Sequence, residues 1–339
     1  MLYVGLDIHS KRIAMCVLDQ NGKLVERFSM RSMDDVTRRL SQLPDCYDVC
    51  YEASCGYGYY HDLLRPLARR GLVAHPAHLR LIFRSKKKND RNDAERLAKL
   101  LFLDEVPTVH VPKPEVRDWR ELITSRRHLV QKRTRAKNGL RALLRGLGIQ
   151  APPRPGLWTK KGRAWLLALA LPNSDARLRR DLLLDEVEHF SSQLRRLEKQ
   201  LNERAEHSAA VFTLLSIPGI GVRTAEAFVA FLDDPRRFKN VKRVASYFGL
   251  VPSQDQSGDV NRLGHITKQG SPVVRQLVTE AVWQAQRRSP AVRAYLERIQ
   301  RGDPDRKKIA VVATGHYLIR VMFKLLKTGE LWQEPAPAA

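Results

Sequence analysis

Over the first hundred residues, short apolar runs of strand length alternate with stretches of helical period, and afterwards the pattern of apolar and polar positions is helical throughout. Residues 2–6, 13–18 and 24–29 read as strands, and Asn21-Gly22 supplies the turn of a hairpin between the second and third. A polar helix near 34–43, a strand at 47–52, a helix near 59–70 and a strand at 72–75 follow. From about 115 to 147 the pattern is helical, with Leu122, Leu129, Ala136 and Leu143 seven residues apart and arginine or lysine on most other faces. A proline-rich break at 151–156 reads as a linker. A second heptad run comes next, at Val187, Phe190, Leu194, Leu197 and Leu201. The two helices pair as an antiparallel hairpin or as a coiled coil that joins protomers.

Three antiparallel strands, then helix, strand, helix, strand, is the order of an RNase H-like fold. The expected class is therefore α/β plus α, with an RNase H-like domain over 1–110, a helical coiled-coil segment over 111–207 and a mainly helical domain over 208–328. Residues 329–339, rich in proline and alanine, are expected to be disordered. In the third region, Ile217-Pro218-Gly219-Ile220-Gly221 between two helices has the form of a helix-hairpin-helix turn. Gly219 and Gly221 would let backbone amides approach a phosphate. A tight turn used only for packing is the competing reading. Beyond it lie residues 238–250 and a polar loop expected over 251–258.

Charge narrows the partners. The chain of 339 residues carries 60 Lys and Arg against 36 Asp and Glu, a net charge of +24, which fits a polyphosphate partner. Ribosomal or membrane-surface binding would account for the charge alone. The cysteines Cys16, Cys46, Cys50 and Cys55 lack paired short-gap spacing and read as reduced thiols of a cytosolic protein; zinc with His61 is the weaker alternative. Neither a leader nor a membrane span is expected, since the apolar run 164–171 is too short to cross a bilayer.

Against that positive background the acids stand out. Asp7 ends the first strand, Glu52 ends the fourth, and Asp90 and Asp93 lie at i and i+3 on one face of a following helix. Taken singly, each has a bland explanation as a strand end or a helix cap. Taken in this order, they gather carboxylates around a divalent metal in an enzyme acting on nucleic acid. Lys86, Lys87 and Lys88, just ahead of Asp90, would contact the phosphate backbone.

These acids, together with Ile217–Gly221, Phe248-Gly249-Leu250-Val251-Pro252, Ser257-Gly258 and Ile266-Thr267-Lys268-Gln269-Gly270, resemble the DEDD-type insertion-sequence transposases of the one-ten family. The resemblance covers nearly the whole chain. It implies a RuvC-like N-terminal domain, a C-terminal transposase domain and a recombinase guided by a structured bridge RNA that pairs with donor and target DNA. Asp7, Glu52, Asp90 and Asp93 would hold Mg²⁺ or Mn²⁺, and Ser257 would attack a phosphodiester to form a covalent phosphoserine. From the residues alone, nothing separates Ser257 from Ser246 or Ser253, and His265 is open as a base or as a structural residue. Arg262 and Lys268 would offset charge in the transition state. Bond energy is kept in such an intermediate, in keeping with a chain that has no Gly-x-x-x-x-Gly-Lys loop. The resemblance further implies a homodimer or tetramer in the bacterial or archaeal cytoplasm, associated with the nucleoid. A metal-dependent nuclease resembling a Holliday-junction resolvase is the alternative, and a non-catalytic nucleic-acid-binding protein is the third.

Overall fold

A computed structural model describes residues 1–83, 90–152, 156–257 and 260–335, with the side chains of Asp90 and Arg91 outside that description. The chain forms two compact units, Met1–Arg117 and Asp118–Ala339. Lys86, Lys87, Lys88 and Gly258 lie outside the described residues.

The first unit is built on a sheet of five strands: β1 (Leu2–Ile8), β2 (Ile13–Leu18), β3 (Leu24–Met30), β4 (Tyr47–Glu52) and β5 (Arg70–Ala74). Their order is β3-β2-β1-β4-β5, with β1 antiparallel to β2, β2 antiparallel to β3, and the β1–β4 and β4–β5 pairs parallel. This arrangement is consistent with an RNase H-like domain. Side chains alternate across a strand, so β1 divides cleanly. Leu2, Val4 and Leu6 join one core with Val49 and Tyr51 of β4, under α1 (Met33–Ser41) and α2 (Tyr57–Leu64). Tyr3, Gly5 and Asp7 face the other side, where α4 (Asp90–Phe102) packs through Ala94, Leu97, Ala98 and Leu101 beside α3 (Pro76–Ile82).

The helix expected over 59–70 ends at Leu64, because Arg69 and Arg70 are drawn to the sheet. Both guanidiniums bond to Asp48, a carboxylate with no exposed side-chain surface near the start of β4. Two charge-assisted partners make that burial tolerable.

The second unit holds α5 (Pro114–Gly146), all but its first four residues, and α7 (Ser174–Glu206); each is 33 residues long and they run antiparallel within one chain. Arg126 pairs with Glu198 near one end, and Gly139 meets Leu183 toward the other. A short helix absent from the sequence reading, α6 (Lys160–Ala168), packs on them through Leu166. The remaining helices are α8 (Ala209–Leu215), α9 (Val222–Leu232), α10 (Val241–Tyr247), α11 (Pro272–Arg288), α12 (Pro290–Gln300) and α13 (Lys307–Thr328). They enclose one core around Phe228, Phe248, Val282 and Ile319. The segment 304–328 is long and apolar enough to cross a bilayer. Leu318, Ile319, Met322 and Phe323 on α13 are nonetheless buried in this core.

Two expectations are corrected. The polar loop expected over 251–258 is instead half of a β-hairpin, β6 (Pro252–Ser257) paired with β7 (Val260–Ile266). Nor is the tail disordered from 329. The Trp332 amide donates to Ser216 Oγ at 2.8 Å, and Glu334 accepts from Ser289 Oγ and the Ala291 amide.

Candidate active site

Register brings the first acids together. Leu6 of β1 lies opposite Tyr51 of β4 in the parallel pair, so Asp7 and Glu52 follow at the carboxyl ends of adjacent strands, on the same sheet face. That face is the one covered by α4, which adds Asp93. Asp7, Glu52 and Asp93 line a single cleft of about 320 Å³, together with Arg80, Phe83 and Arg96. Clefts outside the carboxyl ends of parallel strands are where open sheets place ligands.

Glycine makes the approach of α4 possible. A β-carbon on Gly5 would stand 2.5 Å from the Ala98 amide nitrogen and closer still to the Ala94 carbonyl oxygen. Any larger residue would therefore push Asp93 away from Asp7.

The charges are partly balanced by neighbours. Asp7, only 8% exposed, has His9 Nε2 at 3.2 Å from its Oδ2, and Asp93 pairs with Arg96 at 2.8 Å. The Arg96 guanidinium in turn lies 5.1 Å from the centre of the Phe83 ring. His9, Arg80 and Arg96 were not singled out by sequence reasoning, although His9 and Arg96 follow the acids at short spacing. Among the described residues no three carboxylate, histidine or cysteine side chains already stand close enough to hold a metal ion. The donor set still suits a hard cation, since carboxylate oxygens are what Mg²⁺ and Mn²⁺ prefer.

Apart from Asp90, whose side chain is outside the described residues, and the undescribed Lys86, Lys87 and Lys88, the other predicted residues lie in the second unit. Ser257 ends β6 opposite Val260, exposed near the hairpin tip. Asp255 sits directly opposite Arg262, and strand alternation puts both on the face of Ser257. Gln254, Gln256 and Asn261 share the opposite face, where Gln254 Nε2 donates to the other two amides. Both strands are exposed almost throughout, and His265 is among their exposed residues.

What holds this ribbon is its base. A β-carbon on Gly249 (φ +67°) would strike the backbone of Gln269, and one on Gly270 (φ +66°) would strike the Tyr247 carbonyl. Lys268, at φ +55°, closes the junction, its backbone N–H donating a hydrogen bond to the Gly249 carbonyl. Arg275 of α11 donates to the carbonyls of Phe248, Gln269 and Gly270. The two glycine motifs thus interlock, and Arg275 is a residue that no local motif signalled.

Gly219 and Gly221 behave differently from one another. Gly219 has φ +89°, and its missing side chain admits the α11 backbone at Ala285. Gly221 caps α9 and faces open space, leaving the first amides of that helix uncovered by any side-chain cap.

Comparison with known proteins agrees with this layout. Residues 4–149 match a transposase family model of the DEDD type for IS110, and residues 212–297 match the transposase IS116/IS110/IS902 family. The chain is similar to a probable family 20 transposase of Pseudomonas aeruginosa, 29% identical over 285 residues and 81% of each chain. It is also similar to the transposase for insertion sequence element IS1111A of Coxiella burnetii, 26% identical across 81% of this chain and 75% of that relative. A pilin gene-inverting protein of Moraxella lacunata is 27% identical over 42% of this chain and 46% of its own. The chain belongs to the IS110 family of DEDD-type transposases, enzymes that cleave and rejoin DNA. A DEDD-type domain implies use of a divalent metal.

Proposed function

We propose that this transposase moves a DNA element by serine recombination, with Asp7, Glu52, Asp90 and Asp93 as the metal-holding acids and Ser257 as the nucleophile. The convergence of Asp7, Glu52 and Asp93 in one cleft carries the reading. When bound there, Mg²⁺ or Mn²⁺ would supply charge neutralisation at the scissile phosphate. Ser257 Oγ attacks phosphorus, an Oγ–P bond forms, and the P–O bond to the leaving sugar oxygen breaks. That oxygen takes up a proton, and a new strand's hydroxyl reverses the exchange. One phosphodiester replaces another, so no nucleotide cofactor is consumed.

A serine hydroxyl needs a base at neutral pH. Asp255 shares the Ser257 face of the ribbon and is the side chain best placed to receive the proton. Arg262, opposite Asp255, would meet a nonbridging phosphate oxygen. Lys86, Lys87, Lys88 and Lys268 are read as backbone contacts, and the open amides at Gly221 as a phosphate seat; Gly219 shapes that turn by admitting α11. The antiparallel α5 and α7 form the coiled-coil segment of this reading, and the α8–α9 turn its helix-hairpin-helix. A guide RNA pairing with donor and target DNA would supply sequence choice, in a dimer or tetramer working in the cytoplasm. The name of the Moraxella relative, a gene-inverting protein, favours conservative strand exchange.

The acid cleft alone would equally suit a metal nuclease that uses water. The test is an adduct assay with labelled element-junction DNA, the RNA from the flanking element and Mg²⁺, comparing Ser257→Ala and Asp7→Asn on a denaturing gel. A covalent protein–DNA band that needs Ser257, Asp7 and the RNA is expected. Cleavage that survives Ser257→Ala but not Asp7→Asn would make the chain a nuclease instead.

A further inference from the structure

Helices α12 and α13 enclose a groove of about 540 Å³ that belongs neither to the acid cleft nor to the hairpin. Most of its lining lies on α13, beyond the stretch matched by the C-terminal family model. Tyr295 of α12 and Tyr317 of α13 stack there with ring centres 4.6 Å apart and planes 18° from parallel. The Arg298 guanidinium lies 5.0 Å from the centre of the Tyr295 ring. Arg320, Lys324 and Lys327 follow Tyr317 at helical spacing, so one face of α13 presents an aromatic ring and then three cations. The buried stripe of the same helix, Leu318, Ile319 and Met322, faces the core.

Folding does not call for this arrangement. Like charges three and four residues apart on a helix repel. Among the described residues that line the groove there is no Asp or Glu to offset them. The nearby carboxylate of Glu334 is already engaged by Ser289 and the Ala291 amide. Burial pushes the Tyr317 hydroxyl above its ordinary range, so the ring stays neutral. Half-buried, planar and neutral rings beside uncompensated cations are what a nucleic acid strand with exposed bases engages, stacking on the rings and placing phosphates on the cations.

We infer that the α12–α13 groove binds single-stranded DNA, with a base stacked against the Tyr295–Tyr317 pair and the backbone held by Arg298, Arg320, Lys324 and Lys327. A duplex hides its base faces and would engage the cations alone. DNA is favoured over RNA because DNA is the substrate this enzyme cuts and rejoins, and strand exchange exposes unpaired bases. The inference needs neither the serine nucleophile nor the acid cleft, so its failure leaves those assignments untouched.

Fluorescence anisotropy of the full chain tests it, with a labelled oligothymidine, a duplex of equal length and an oligouridine. The Arg320→Ala, Lys324→Ala double variant lies on the surface and should fold. It is expected to lower the salt dependence of single-strand binding by about 1.4 in log–log slope, at about 0.7 per phosphate contact. Tyr295→Leu with Tyr317→Leu is expected to weaken oligothymidine binding about tenfold, the loss of roughly one stacked base, with duplex binding unchanged. The Tyr295→Phe, Tyr317→Phe pair keeps the rings and should bind as the parent does. Unchanged oligothymidine binding in both the cation and the leucine variants would overturn the site. Equal losses for duplex and single strand in the leucine variant would overturn the stacking role. Tighter binding of oligouridine, lost in the same variants, would overturn the assignment to DNA.

Discussion

Gly5 and Ala94 touch where β1 meets α4, and the absence of a side chain on Gly5 sets how near Asp7 and Asp93 come. Gly5→Ala should therefore act twice. Forcing a methyl into that contact costs about 1–3 kcal/mol of stability, and it should also open the acid cleft. The expected outcome is an unfolding midpoint lowered by about 5 °C or more, with strand cleavage lost even where the protein remains folded. A variant that melts and cleaves like the parent would show that the α4 position does not matter.

The strands of the first unit were legible as short apolar runs, because β1, β2 and β4 are buried almost throughout, on both faces of the sheet: each run found its strand to within a residue or two. Asp7 and Glu52 were legible as strand-end acids. The β6–β7 hairpin was not, because Pro252-Ser253-Gln254-Asp255-Gln256-Ser257 has no apolar alternation and both its faces are exposed. Periodicity reports burial, and this ribbon buries almost nothing. Asp48 was also silent, since a buried ion within a strand can be recognised only once Arg69 and Arg70 are seen folding back on it. The tail read as disordered from its prolines, yet Trp332 and Glu334 carry the polar anchors that hold it.

Gly270 should be the most sensitive point of the hairpin base. At φ +66°, with the Tyr247 carbonyl against its α-carbon, it tolerates no β-carbon. Gly270→Ala is expected to raise amide exchange across 252–266 and to abolish adduct formation, while exchange in residues 1–83 stays as in the parent. Arg275→Ala, which removes bonds to three carbonyls, should give a milder form of the same pattern. Normal exchange in the hairpin of both variants would contradict this account of its anchoring.

Asp48 predicts an acid-side loss of stability. Burial raises its carboxyl pKa, but the hydrogen bonds from Arg69 and Arg70 outweigh that and hold it below its ordinary value. A carboxyl depressed in the folded state contributes stability above the unfolded value of about 4 and loses it as pH falls through the folded value. Asp48→Asn should thus cost roughly 1–3 kcal/mol near neutrality. Urea unfolding should show the gap to the parent narrowing below about pH 4. A constant gap across the acid range would remove Asp48 from that role.

Glu226 predicts the opposite slope. It lies on α9, 1% exposed, with Arg223 Nη1 2.9 Å from one carboxylate oxygen and no hydrogen-bond partner for the other among the described residues. Burial pushes its carboxyl up to about 7, against the lowering pull of Arg223 and Arg126. Below the unfolded value of about 4.5 the group is protonated whether the chain is folded or not. Between there and about 7 the unfolded chain ionises first, so folding loses ground steadily as pH rises. Above that range both states are ionised and the penalty is constant. Glu226→Gln keeps an acceptor for Arg223 and has no proton to lose. Its melting temperature should therefore vary less than the parent's across this window, whichever protein is the more stable at any one pH. Melting curves taken through the window check this directly. If the variant keeps the parent's slope, the buried Glu226 is already ionised, and the pair with Arg223 has overcome the cost of its burial.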